Sequence, residues 1–295
     1  MQLFIEIIKA LIIGIIEGLT EWLPISSTGH MIIVNEFVQL DVSPAFLALF
    51  LVVIQLGAIL AVLLLYFQRL NPFSKKKTVK EQRTVLRLWL KVVVGCLPAA
   101  VIGLLFDDWV EEHFFNAFVV AVALIVYGIA FIVVERLQQA HEKPRPLRRS
   151  RYDQRDQDEL DQLTWTQVLV IGCCQCLAIV PGTSRSGSTI LGARILGVSR
   201  QAAAEYSFFL AIPVMFGWSL LKAIKTLMLD QLVVTANEWI ILLVGVLVAF
   251  LVSVVAIRFL MGFIQKHDFQ AFGWYRIALG LLVIVYFLIS GGLFS

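Results

Sequence analysis

The chain has 295 residues, of which 59% are hydrophobic and 15% charged, with a mean hydropathy of +0.86. Soluble domains carry about 25% charged residues, and a water-soluble fold of this size turns too much surface to water to hide so many apolar side chains; disorder, which needs a polar chain, is excluded as well. The net charge of +3, from 24 basic and 21 acidic residues, is too small to indicate a nucleic-acid partner, so the chain reads as an all-α polytopic membrane protein.

In chain order, residues 3–34 come first, apolar at both ends and broken in the middle. Glu6 and Lys9 interrupt the first apolar run, which argues against a cleavable signal peptide. The break reads EGLTEWLPISSTGH from Glu17 to His30. Glu17 and Glu21 lie four residues apart, on one helical face. Two carboxylates in apolar surroundings repel and are poorly solvated, so they require a counter-charge. A divalent cation that prefers carboxylate oxygens, Mg2+ or Ca2+, is the simplest one. Pro24 ends the helix. Ser26, Ser27, Thr28 and Gly29 then form a donor-rich turn suited to an anion, and His30 follows within three residues of Ser27, a spacing that suits a nucleophile and its base.

A membrane helix needs roughly 20 mostly apolar residues. Six segments qualify: 48–67, 88–106, 118–134, 206–224, 239–257 and 277–294. Gln55, isolated in the first, either hydrogen-bonds the turn at 26–29 or another helix. Gly14, Gly18 and Gly172 read as points of close helix packing. The segment 138–164 is polar and carries a basic cluster at 145–155. It reads as a solvated linker, with attraction to anionic headgroups as the sharper alternative. Residues 165–196 form a second interrupted segment. Its CCQC run holds Cys173, Cys174 and Cys176, read with Cys96 as packing thiols. Its break, PGTSRSGST from Pro181 to Thr189, contains Arg185 with no acid beside it in sequence. A buried guanidinium needs an acceptor, and its fork matches phosphate oxygens. The helix expected after the break would add N–H groups for the same anion.

Lys and Arg mark cytoplasmic loops. Residues 68–91 hold Arg69, Lys75, Lys76, Lys77, Lys80, Arg83, Arg87 and Lys91, whereas 107–117 hold none; 136–164 are again basic, 225–238 nearly bare, and 258–276 carry Arg258, Lys266 and Arg276. The bias alternates in, out, in, out, in. The two broken segments then return to the side they enter from, as re-entrant helical hairpins, each followed by three spans. Because three is odd, the halves are inverted relative to one another. Residues 1–137 form repeat one and 165–295 repeat two, joined by 138–164. Irregular backbone at membrane depth survives only under protein or water, so the two breaks are expected to meet and line one cavity.

Together the breaks supply phosphoryl-transfer equipment, which works mainly by positioning and charge neutralisation. The runs EGLTEWLPISSTGH and PGTSRSGST, with GVSRQAAAEYSFFLAIPVM further on, resemble the undecaprenyl-pyrophosphate phosphatases of the bacitracin-resistance type. The resemblance implies a bacterial plasma-membrane hydrolase with inverted repeats that depends on a divalent metal and dimerises. It implies removal of the terminal phosphate of undecaprenyl pyrophosphate at the outer face, which returns the lipid carrier to peptidoglycan synthesis. It places the acidic motif on Glu17 and Glu21, the Ser and His motif on Ser26, Ser27 and His30, and the phosphate-binding segment on Ser184, Arg185, Ser186 and Thr189. The long inter-repeat loop and Thr183 depart from the family pattern.

The expected roles are metal binding by Glu17 and Glu21, attack by Ser27, proton acceptance by Glu21 or His30, and substrate binding by Arg185 with Ser26, Thr28, Ser184, Ser186 and Thr189. A metal-bound or base-activated water competes with Ser27 as nucleophile. The rival reading is a polyprenyl-phosphate transporter or flippase, which the repeat architecture alone would also suit.

Overall fold

The computed structural model describes residues 1–141, 159–229 and 232–291; most of the 138–164 linker lies outside the described residues. Described residues are helical wherever they are regular. Helices α1 (Gln2–Thr20) and α2 (Ser27–Phe37) flank the first break. Then come α3 (Pro44–Leu65), the single turn α4 (Phe67–Leu70), α5 (Val79–Phe114) and α6 (Ala117–His141). Helices α7 (Trp165–Cys176) and α8 (Arg185–Ile195) flank the second break, followed by α9 (Arg200–Ile224), α10 (Ala236–Ile264) and α11 (Gln270–Ser290). Six of these are long and apolar enough to cross a bilayer, namely Pro44–Leu65, Val79–Asp107, Ala117–Ala140, Arg200–Met228, Ala236–Ile264 and Gln270–Ser290. They coincide with the six expected spans.

Local chemistry sets where the helices start. Thr78 with Glu81, Thr164 with Gln167, and Thr235 with Glu238 form reciprocal capping boxes, each satisfying end groups that would otherwise lack a partner. The box at Thr78 begins α5 nine residues before the apolar run does, and so draws part of the basic loop into the helix. Ser43 and Ser199 cap α3 and α9 singly. Pro98 and Pro213 sit inside α5 and α9, where each removes one helical hydrogen bond.

Helix pairing follows small residues. Helix α1 packs on α10, α7 on α5, α3 on α9 and α10, and α6 on α11. A Cβ on Gly14 would come within 2.8 Å of the Gly245 carbonyl, and one on Gly172 would fall onto the backbone of Gly95. Without a strong hydrophobic drive between helices in lipid, such close backbone approach is what association rests on. The packing expected of Gly14, Gly18 and Gly172 is therefore seen.

Ionic ties hold one end of the bundle. Glu135 on α6 is fully buried and accepts from Arg194 of α8 at 2.7 Å and Arg200 of α9 at 2.8 Å. Nearby, Arg69 lies 3.8 Å from Glu205 and 3.5 Å from Asp161, and the Tyr206 hydroxyl donates to the Lys91 carbonyl at 3.0 Å. Glu205 and Tyr206, in the first two turns of α9, thus belong to this buried cluster.

Gly172→Leu is expected to destabilise the α5–α7 contact by about 1–3 kcal/mol or more, since no side chain can be placed there without backbone movement. A thermal melt of the purified protein in detergent would check this against Gly262→Leu, a position where a Cβ meets open space.

Candidate active site

Both breaks are built the same way. Ser26 has φ 72° and Ser184 φ 71°, and they are the only non-glycine residues at positive φ among those described. Each strained serine caps the helix that follows: Ser26 Oγ accepts from the Gly29 N–H at 3.2 Å, and Ser184 Oγ from the Gly187 N–H at 3.1 Å. The two runs, Ser26-Ser27-Thr28-Gly29 and Ser184-Arg185-Ser186-Gly187, are thus matching caps. A conformation of this kind costs on the order of 1–3 kcal/mol and persists where its surroundings over-determine it, often at functional sites. As a result Ser27 and Arg185 occupy the same position, the first residue of helices α2 and α8.

Glu21, just past the end of α1, joins the two. The Arg185 Nη2 donates to Glu21 Oε1 at 3.2 Å, and the Ser27 hydroxyl donates to Glu21 Oε2 at 3.3 Å. Arg185 Nη1 also donates to the Ser207 carbonyl at 2.8 Å, and its guanidinium lies over the Trp22 ring, 5.5 Å from the centroid. Helix α8 is fixed to the first break by Ser186, whose hydroxyl donates to the carbonyls of Glu21 at 3.0 Å and Leu23 at 3.3 Å. The Thr189 hydroxyl donates to the Arg185 carbonyl at 2.9 Å and lies 2.7 Å from Ser207 Oγ.

A cavity of about 500 Å³ opens on this group, lined by Glu21, Ser27, Thr28, Gln55, Ser184 and Arg185 at its polar end. Gln55 therefore faces the site. The two breaks meet there, as expected. Several predicted groups are used otherwise. Ser26, Ser186 and Thr189 are fully buried, and their hydroxyls are spent on the cap and on bracing the two breaks. They shape the site without lining the cavity. The expected Ser27–His30 couple is not formed. His30 Nδ1 lies 2.7 Å from the Ser26 carbonyl and Nε2 2.7 Å from the Tyr275 hydroxyl. A carbonyl can only accept, so Nδ1 carries the proton in the neutral ring and Nε2 accepts from Tyr275. Both ring nitrogens are occupied away from Ser27, whose partner is Glu21.

Glu17, one turn before Glu21 on α1, is 3% exposed, and its Oε1 has no hydrogen-bond partner. A buried carboxylate oxygen without a donor is costly. Arg185 donates its hydrogen bonds to Glu21 and to the Ser207 carbonyl, and none to Glu17 Oε1. Two carboxylates with the nearby Ser27 hydroxyl form a hard-oxygen donor set, which Mg2+ or Ca2+ would accept with phosphate oxygens completing the shell. The donor chemistry suits such an ion, although no group of three or more His, Cys, Asp or Glu side chains gathers at one point among the described residues.

Sequence reasoning placed Arg276 in a cytoplasmic loop. The structure corrects this: Arg276 lies on α11, is fully buried, and holds both breaks. Its Nη1 donates to the Pro24 carbonyl at 3.2 Å, and its Nη2 donates to the carbonyls of Gly182 at 2.8 Å and Thr183 at 3.0 Å. Its other face rests on Tyr127, 5.2 Å from the ring centroid. The positive-inside count had absorbed the residue as one more basic side chain near a span end.

Residues 10–282 match the family model described as bacitracin resistance protein BacA. The chain belongs to the BacA family. Family members similar to it over nearly their whole length include an undecaprenyl-diphosphatase 1 of Clostridioides difficile, 52% identical over 96% of this chain and 97% of that protein. Another is an undecaprenyl-diphosphatase of Enterococcus faecalis, 52% identical over 98% of this chain and all of its own. A third, from Streptococcus agalactiae, is 51% identical over 98% and 99%.

Arg276→Lys keeps the charge and loses the fork that reaches three carbonyls. It is expected to lower stability by about 1–3 kcal/mol, since buried carbonyls lose their donors, and to reduce activity with it. Arg276→Ala should cost more. Detergent-phase melting with activity measured on the folded fraction would check both.

Proposed function

We propose that the protein is an undecaprenyl-diphosphatase: it hydrolyses undecaprenyl pyrophosphate to undecaprenyl phosphate and inorganic phosphate, and so recycles the lipid carrier used in peptidoglycan synthesis. The observation that carries this reading is the contact chain Ser27–Glu21–Arg185, drawn from both breaks and facing one cavity. The names of the similar proteins point the same way.

The substrate's diphosphate lies between the N-termini of α2 and α8, where free N–H groups and helix dipoles favour an anion. Arg185 turns its fork to phosphate oxygens. Sharing Arg185 with the substrate weakens its hold on Glu21 and frees that carboxylate. Glu21 then takes the Ser27 proton as Ser27 Oγ bonds to the terminal phosphorus. The bond from that phosphorus to the bridging oxygen breaks, and the lipid monophosphate leaves. Water next displaces Ser27, releasing inorganic phosphate and returning the proton to the serine. Glu17 and Glu21 would hold a divalent cation, Mg2+ or Ca2+, which would supply neutralisation of phosphate charge. His30, held by Tyr275, fixes the start of α2 instead of acting on Ser27.

On the same reading the chain folds as two inverted repeats, 1–137 and 165–295, with α1–α2 and α7–α8 as re-entrant hairpins and 138–164 as the linker. In support, the two caps share one unusual backbone conformation. The pairing of α1 with α10 also mirrors that of α7 with α5. The Lys and Arg bias supports basic loops on the cytoplasmic side of a bacterial inner membrane; a site at the outer face and a dimer are what the family resemblance implies.

Purified protein should release inorganic phosphate from undecaprenyl pyrophosphate, and excess chelator should abolish the release. Absence of release by folded protein would sink the reading. Ser27→Ala and Glu21→Gln are each expected to lower kcat by about 100-fold or more. Full turnover by Ser27→Ala would instead identify water as the direct nucleophile. Arg185→Lys should fall by a similar factor, because a point charge does not replace the fork.

A further inference from the structure

Gln175 sits in the last turn of α7, inside the CCQC run. It is 2% exposed, and neither its Nε2 nor its Oε1 has a hydrogen-bond partner among the described residues. Buried polar groups are nearly always paired, and an amide whose donors and acceptor stay unmade is costly. The side chain lines the active-site cavity together with Glu21, Ser27, Ser184 and Arg185. The fold therefore keeps an unspent amide at the wall of the site, withdrawn from solvent and from every protein partner.

The matching caps give this residue a counterpart. Glu17 lies nine residues before Ser26, and Gln175 lies nine before Ser184. Three residues further back come Gly14 and Gly172, each of which brings its helix against a facing carbonyl, that of Gly245 or of Gly95. Glu17 and Gln175 thus occupy equivalent positions on equivalent helices. Both are buried, and both carry a polar atom without a partner. The chemistry differs. A carboxylate only accepts, whereas a primary amide offers two N–H donors and stays neutral. Ser27 and Arg185, at the first residues of α2 and α8, form a second such pair. In both pairs the residue from the second break is the stronger donor to an anion.

We infer that Gln175 is a substrate-binding residue: its Nε2 donates to phosphate oxygens of the diphosphate beside Arg185, which leaves Oε1 to accept from water in the cavity. An amide serves here where a carboxylate would not, because a third negative side chain beside Glu17 and Glu21 would oppose an anionic substrate. The two halves of the site then divide the work. The first break brings the acids and the attacking hydroxyl, and the second brings the guanidinium and the amide that receive the phosphates. The inference rests on the diphosphatase reading.

Gln175→Met keeps the volume and removes the amide. No protein group bonds to that amide, so the melting temperature in detergent should equal or exceed that of the unmodified protein. The kcat/KM on undecaprenyl pyrophosphate should nevertheless fall about 10- to 100-fold, the scale of one hydrogen bond to a charged group. Gln175→Glu, nearly the same shape, should fall further by setting a negative charge against the phosphates. Calorimetric titration with inorganic phosphate needs no turnover, and Gln175→Met should bind it about tenfold more weakly. Unchanged kcat/KM or unchanged phosphate affinity in folded Gln175→Met would overturn the inference, as would full activity in Gln175→Glu. A lowered melting temperature with activity per folded molecule preserved would show the amide to be structural and overturn it as well. If the unmodified protein releases no phosphate from undecaprenyl pyrophosphate, the diphosphatase reading fails, and the phosphate titration alone decides whether Gln175 receives an anion.

Discussion

Two helices of this protein stop and restart inside it, and the carbonyls freed by the interruptions are buried away from water and must be satisfied by protein donors. Arg276 answers for both at once. It reaches Pro24 in one break and Gly182 and Thr183 in the other, with Tyr127 against its remaining face. The guanidinium suits this because it is planar, permanently charged and more weakly hydrated than an ammonium. Its donors fix the separation of the breaks, and with it the separation of Ser27 from Arg185. Ser186 adds a second tie by donating to Glu21 and Leu23. The site geometry thus depends on bonds from α8 and α11 to the first break more than on anything within that break.

The chemistry follows from the same arrangement. Equivalent caps put a hydroxyl at the start of α2 and a guanidinium at the start of α8, and Glu21 lies within reach of both. One carboxylate is therefore the counter-ion of the resting site and, in the proposed mechanism, the base once an anion competes for Arg185. A phosphoryl-transfer site needs charge held in place ahead of the reaction, and here the backbone strain at Ser26 and Ser184 is part of the holding. The cost of that strain is offset by caps and cross-ties on every side.

Much of this was legible in the sequence, for identifiable reasons. The six spans announce themselves because apolar runs of bilayer length have few other uses. The breaks do so because Pro24, Pro181 and the hydroxyl-rich runs contradict the apolar segments around them. Their meeting follows from the rule that irregular backbone cannot face lipid. Side-chain direction was less accessible. Spacing placed His30 near Ser27, yet its ring turns to Tyr275, a residue 245 positions away. Ser186 and Thr189 looked like phosphate ligands, but lie on the side of α8 that packs on the first break and on α9. Arg276 was misplaced because loop counts treat every arginine near a span end alike, and a guanidinium satisfied by carbonyls leaves no acidic partner in the sequence to betray it.

The tie between Pro24 and Arg276 spans 252 positions, which has a consequence for biogenesis. Chains are made from the N-terminus, and the first break, with Glu21 and Ser27, is in place long before α11 leaves the ribosome. Until then its freed carbonyl has no guanidinium to receive. The first half must wait, partly assembled, for the last helix to dock. Hydrolytic competence therefore arrives only at the end of synthesis, and a chain truncated before α11 would insert into the membrane yet leave its two interruptions unlatched.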